Sequence, residues 1–310
     1  MTMFLGVQLM VLAGIFTALS NYFLRKSIDG GGSSRAFLMI QLTITFLVAI
    51  LLNPVRSGNF FFSPEIASLG LFAGIILGIM MICLGKSFEH GPAGLTVALL
   101  NASTVFPILG MVLFFGKEYG FEYTLWNAVG SLILVAGLFW AGTQTFKSGP
   151  MGRWLFFAIS AFALHVVFLI LLQWRFVLLT FPGKTALFSL LSAREAGSEW
   201  FMPMTFLSAA LIQLVVYVRQ ESRVPAPQEV RFGFLGGTAN GIGTFFMIWS
   251  TEVATSVEQA MIFPIFAGTV VLTCNLWGRF LYKEKVHWRA TVLAITGLII
   301  GTLHWKTLLH

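Results

Sequence analysis

Few side chains in this 310-residue sequence could do chemistry away from water, because 57% of its residues are hydrophobic and only 10% are charged. Those set inside apolar stretches include His165, Glu258 with Gln259 beside it, Arg175 at the end of its stretch, and the amides Asn21, Gln41, Asn101, Gln213, Asn240 and Asn275. A charged side chain at membrane depth costs roughly 2.5–3.5 kcal/mol on insertion scales, so each such group needs a partner, water or a task. His165 lies midway along the apolar stretch 153–176. It reads either as a neutral imidazole bonded to a neighbouring helix or as a cavity group that exchanges a proton near pH 6.5. Glu258 reads either as a first-turn carboxylate favoured by the helix dipole or as a cavity carboxylate that holds a proton or pairs with a cation. These two are the candidate coupling residues. Each amide alone is first an interhelical hydrogen-bonding group worth ~0.6–2 kcal/mol. Tyr22, next to Asn21, adds a ring face.

Other chemistries lack their residues. The twelve acids are dispersed, the five histidines are unclustered, and Cys83 and Cys274 offer no metal-ligand spacing. A phosphate-cradling GxxxxGK[ST] segment is missing, so neither a metal nor a nucleotide cofactor is expected.

The elements that position these groups are helices of about 20 apolar residues each. Ten candidates run 4–23, 36–52, 66–85, 93–115, 123–143, 153–176, 200–218, 231–250, 254–278 and 287–305. A barrel would instead alternate over segments of about ten residues. The expected fold is therefore an all-α polytopic membrane protein, one membrane domain of ten transmembrane helices, with a long connection at 177–199. The start lacks the charged n-region of a signal peptide and reads as a retained first helix. Trp126, Trp140, Trp154, Trp200, Trp249, Trp288 and Trp305 fall near helix ends, as an aromatic belt requires.

Thirteen Lys and Arg residues lie in loops after odd-numbered helices and five on the opposite side, which places both termini outside. The net charge of +7 thus sets topology in the lipid bilayer and gives no reason to expect nucleic-acid binding.

The sequence also repeats itself. Gly70, Gly74 and Gly78 in the third stretch match Gly233, Gly237 and Gly241 in the eighth at an offset of 163. Lys117-Glu118 matches Lys283-Glu284 at 166, and Gly137 matches Gly301 at 164. The tripeptide Phe-Pro-Ile recurs at 157, an offset a Phe-rich chain can produce by chance. Residues 1–147 and 148–310 are thus expected to be two five-helix repeats, inverted because five is odd. Glycine costs about 1 kcal/mol relative to Ala in a helix, but small residues at every fourth position let two backbones approach in a bilayer. The six ladder glycines read as packing seams, and Pro107 and Pro264 as kink or hinge points.

These features together resemble the ten-helix, EamA-like members of the drug/metabolite transporter superfamily. The resemblance rests on "ALSNYFLRK" closing the first helix, glycine-rich third helices in both halves, prolines in helices 4 and 9, and a Gly/Tyr-Lys-Glu segment after each. It implies alternating access and a central cavity lined from both halves, with Asn101 and Asn240 on its wall. The candidate substrate-binding set is Asn21, Tyr22, Asn101, His165, Asn240, Glu258 and Gln259.

The expected function is secondary transport of a small polar organic metabolite, such as an amino acid, sugar, nucleoside or nucleotide-derived compound, by proton coupling or exchange, in the plasma (bacterial inner) membrane. The alternatives are a channel or scaffold and an integral-membrane lipid-modifying enzyme. An enzyme would need clustered acids, histidines or a nucleophile at one membrane surface, which this chain lacks.

Overall fold

The computed structural model describes residues 4–91, 93–114, 123–145, 151–180, 199–253, 262–283 and 286–302. Among them are eleven α-helices and no strand: α1 Leu5–Asp29, α2 Ser34–Ile50, α3 Pro64–His90, α4 Ala93–Ala102, α5 Pro107–Phe114, α6 Leu125–Thr145, α7 Met151–Thr180, α8 Phe201–Gln220, α9 Pro227–Val253, α10 Ile262–Tyr282 and α11 Trp288–Thr302. Six spans, Leu5–Asp29, Ser34–Val55, Ile66–His90, Met151–Leu172, Phe201–Gln220 and Ile265–Tyr282, are long and apolar enough to cross a membrane. The chain is an all-α, multi-pass membrane protein.

Local chemistry sets the helix ends. Ser33 caps α2 by accepting from the Arg35 and Ala36 N–H groups, and Ser63 caps α3 by accepting from Ile66 N–H. Pro64 and Pro227 each occupy the first helical position, where the missing N–H has no intrahelical partner to lose. Such caps lie outside the apolar runs, so α2, α3 and α9 begin two to four residues earlier than hydropathy implies. A larger departure concerns residues 93–115, expected as one helix: α4 stops at Ala102, Ser103–Val105 tighten into a 3₁₀ turn, and α5 starts at Pro107. The cause is Pro107, which lacks an N–H and whose ring crowds the carbonyl four residues back.

The two glycine ladders do not pack on each other. A Cβ on Gly70 would stand 2.5 Å from the Phe201 carbonyl oxygen, and one on Gly74 would collide with the Thr205 carbonyl, so the α3 ladder lies against α8. A Cβ on Gly237 would stand 2.5 Å from the Gln41 carbonyl and one on Gly241 2.6 Å from Val48 Cγ1, so the α9 ladder lies against α2. Polar side chains reinforce both seams. Gln213 Nε2 donates to the Gly78 carbonyl (2.7 Å) and Ser208 Oγ to that of Leu71 (2.9 Å), while Thr45 Oγ1 donates to that of Gly237 (3.0 Å). Helices α2 and α8 also touch, and Phe37, Leu42, Phe201 and Phe206 fill the core where the four helices meet.

Around this centre α1 packs on α9 and α10, α7 on α3 and α4, and α6 on α11. The α6–α11 contact is nearly backbone to backbone: a Cβ on Gly137 would stand 2.6 Å from the Ala294 nitrogen, and one on Gly130 would overlap Gly301.

Candidate functional site

A narrow cleft of about 20 Å³, room for little more than one water, lies where α1, α3, α4 and α10 converge, lined by Asn21, Tyr22 and Arg25, Phe88, Val97, and Cys274, Trp277, Gly278 and Tyr282. Helical spacing assembles it. Asn21 and Arg25 are four residues apart on α1, and Cys274, Trp277, Gly278 and Tyr282 recur on one stripe of α10. Gly14 brings the two helices together by leaving room for Thr269 and Phe266. The pocket sits at the end of the bundle marked by Lys26, Lys86, Arg279 and Lys283, the side rich in basic residues.

The walls are aromatic. The Tyr22 ring centroid is 5.1 Å from that of Trp277 and 6.3 Å from that of Tyr282. The Arg25 guanidinium stands 5.8 Å from the Tyr282 ring centre, donates to the Phe88 carbonyl (3.0 Å) and pairs with Asp29 (3.1 Å). Its charge is therefore offset before a ligand arrives. The Asn21 amide makes no hydrogen bond among the described residues, which leaves a donor and an acceptor for an occupant. An occupant larger than a water requires these side chains to move apart, and it would then meet ring faces and one amide.

Of the other residues singled out in the sequence, Asn101 and His165 stand at the helix break. Asn101 Nδ2 donates to the carbonyl of Val97 (2.8 Å), a pocket residue one turn earlier on α4. His165 Nδ1 lies 2.5 Å from Ser103 Oγ and 3.2 Å from the Leu100 carbonyl, and Ser103 Oγ donates to that same carbonyl (2.6 Å). A carbonyl only accepts, so the ring placed between these oxygens is assigned as the Nδ1–H tautomer. His165 thereby bonds one oxygen of the 3₁₀ turn and one of the last turn of α4, and does not line the pocket.

Asn240 Nδ2 donates to Thr45 Oγ1 (3.3 Å) in the α2–α9 seam, also away from the pocket. Glu258 and Gln259 lie outside the described residues. Pro107 opens α5, and Pro264 falls in the first turn of α10.

The pocket residues Arg25, Trp277 and Tyr282 carry no distinctive sequence signal, because a helix-end arginine reads as a topology charge and aromatics make up 15% of the chain. A second group that hydropathy passes over is Glu229, in the first turn of α9 ahead of the apolar stretch beginning at 231. Its side chain is wholly buried. It accepts from Ser33 N–H (2.6 Å), Ala226 N–H (2.6 Å) and the Arg223 guanidinium (2.8 and 2.5 Å). Burial pushes its pKa up, but the hydrogen bonds from Arg223, Ser33 and Ala226 outweigh that and hold it below the usual carboxylate range. Arg223 also pairs with Glu221 (2.9 Å), which bonds to Ser33 Oγ and to Arg35 (3.4 Å). The network ties the α1–α2 turn to the α8–α9 turn at the basic end of the molecule.

No family model and no curated protein sequence matches the chain. A solved structure described as "Crystal structure of protein" aligns over 96% of this chain and 99% of its own, with a TM-score of 0.58 at 15% identity. At that identity the likeness concerns the fold, and it extends from one end of the chain to the other. Fold and pocket define the class: a multi-pass α-helical membrane protein with a small aromatic-walled pocket among its helices.

Proposed function

We propose that this protein is a secondary transporter of the drug/metabolite type, built as two inverted five-helix repeats. Its pocket would bind a small polar organic metabolite and open alternately to the two membrane faces. One observation carries the reading: the packing partners of the glycine ladders repeat along with the ladders. Gly70 and Gly74 meet Phe201 and Thr205, while Gly233 and Gly237 meet Phe37 and Gln41. The partners are offset by 164 where the glycines are offset by 163. Two further facts support it. Pro64 and Pro227 open α3 and α9 at an offset of 163. The contact of Gly130 with Gly301 becomes that of Ala294 with Gly137 when each residue is carried to its counterpart 164 positions away. An odd number of crossings per repeat inverts the second copy, and inverted repeats in transporters place substrate between the halves and move one against the other.

In this reading Asn21 holds the substrate's polar group, and Tyr22, Trp277 and Tyr282 hold its body. Asn101 and His165 bond to the broken helix beside the pocket, where discontinuous helices contribute to substrate and ion sites in transporters. Glu258 and His165 remain the candidate coupling groups, and the basic end faces the cytoplasm by the positive-inside rule, with both termini outside.

The test is uptake or counter-exchange of labelled amino acids, sugars and nucleosides into proteoliposomes, with and without a pH gradient. Saturable transport of one class, reduced by Trp277→Ala and Asn21→Ala, is expected. Flux no greater than in protein-free liposomes across the panel would refute the proposal. Loss of pH dependence in Glu258→Gln or His165→Ala would identify the coupling group.

A further inference from the structure

A second cavity lies on the outside of the bundle. The last turns of α3 and the first turns of α7 bound a groove of about 470 Å³ lined by Lys86, His90, Gly152, Arg153, Phe156 and Phe157. Its rim is braced from within. The Trp154 ring is buried in a notch that Gly91 leaves open, and its Nε1 donates to Thr96 Oγ1 (2.9 Å). A Cβ on Gly152 would meet nothing within 4 Å, so one wall is bare backbone.

The groove opens toward lipid. Phe156 is 65% exposed and Ile159 51% exposed, on a helix whose composition suits a membrane crossing. Its polar end lies at the helix termini, at headgroup level, on the face that the count of Lys and Arg assigns to the cytoplasm. Lys86 is paired with Glu89, whose carboxylate also bonds to Ser34. The His90 ring is 5.9 Å from that of Phe157. Arg153 is exposed and has no ion-pair partner among the described residues, so the groove presents one uncompensated cation above an aromatic floor.

We propose that this groove binds the headgroup of an anionic phospholipid from the surrounding bilayer. A guanidinium fork matches a phosphodiester in shape and charge. With Lys86 already paired, the complement is a singly charged headgroup, not a polyphosphate. The exposed Phe156 and the half-buried Phe157 cover the glycerol and the first acyl carbons, and a basic side chain at the cytoplasmic surface attracts anionic lipid.

The experiment is native mass spectrometry of the full-length protein after exchange into micelles containing phosphatidylglycerol and phosphatidylcholine. Wild type should retain phosphatidylglycerol over phosphatidylcholine by about tenfold, the scale expected for one charge-assisted contact. Arg153→Gln should lose that preference, and Arg153→Lys should keep part of it. A thermal melt of Arg153→Gln equal to wild type shows that the loss is local. Gly152→Trp, which keeps Arg153 but fills the groove, should lower retention as well. Equal retention of the two lipids by wild type, or an unchanged preference in both Arg153→Gln and Gly152→Trp, would overturn the proposal. So would full displacement of the lipid by millimolar glycerol phosphate, which would make a soluble phosphate the ligand.

Discussion

Helices α3 and α9 solve one packing problem and differ in how each fills the buried third position. Both begin with proline, both carry glycine at positions 7, 11 and 15, and both lie against a helix that is not their neighbour in sequence. At the third position α3 buries Ile66 and α9 buries Glu229. Each helix also has one half of a capping box. In α3 the Ser63 hydroxyl accepts from the Ile66 N–H, and in α9 Glu229 reaches back to the Ala226 N–H. Around the start of α3 the connections are aromatic: Phe62 meets Trp200 edge-on at 5.8 Å, and Trp200 donates to the Phe60 carbonyl at 3.4 Å. Around the start of α9 they are ionic. The same seam can therefore be closed at its end by apolar contact, indifferent to pH, or by a charge network that acid can open.

Substitutions can sharpen or break this comparison. The largest effect is expected at the seams, where Gly74→Leu or Gly237→Leu drives a side chain into a backbone carbonyl that cannot yield. Overpacking of a tight interface costs about 1–3 kcal/mol and more when backbone must move. Both variants should lower the melting temperature in detergent by similar amounts. A large drop in one alone would mean that the ladders are not equivalent devices.

Next comes Glu229→Gln, which removes the charge from hydrogen bonds worth ~1.5–3 kcal/mol each when an ion takes part. The folded-state pKa of Glu229 is lowered, so its stabilisation is complete above the ordinary carboxylate value of 4.5 and is lost as pH falls through the folded value below that. Melting curves should show the variant weaker than wild type at pH 7 and the two converging in acid. Parallel curves across that window would remove Glu229 as the acid-sensitive group.

A smaller loss, about 1 kcal/mol, is expected for Ser20→Ala, which deletes the bond to the Gly236 carbonyl and the one received from Gln41. The smallest change is a gain. Ala226→Ser would complete the capping box of α9, and denaturation should register roughly 0.5–1 kcal/mol of added stability.

Much of this was readable in one dimension. The ladder glycines stand out because a period of four has meaning on a helix without knowledge of the partner. Pro107 announces a break wherever it falls inside an apolar run. Asn21 and Tyr22 are legible as polar and aromatic groups at the end of the first helix. What they face was not. Asn240 looks equivalent to Asn101 in sequence, yet one bonds across the α2–α9 seam and the other to its own helix beside the pocket. Glu229 looks like a solvated loop-end acid, and only the meeting of two turns nearly two hundred residues apart buries it.

Composition, apolar run length and caps determine by themselves that the chain is helical, crosses a membrane repeatedly and carries two glycine seams, because these depend on groups within a few turns of one another. The tertiary structure decided which helices the seams join, that α1, α3, α4 and α10 close around a pocket, and which phenylalanines face protein or lipid. The physical reason is that in a bilayer both surroundings are apolar. Hydrophobicity then cannot choose between them, and the choice passes to shape, close backbone approach and a few polar bonds between segments distant in the chain.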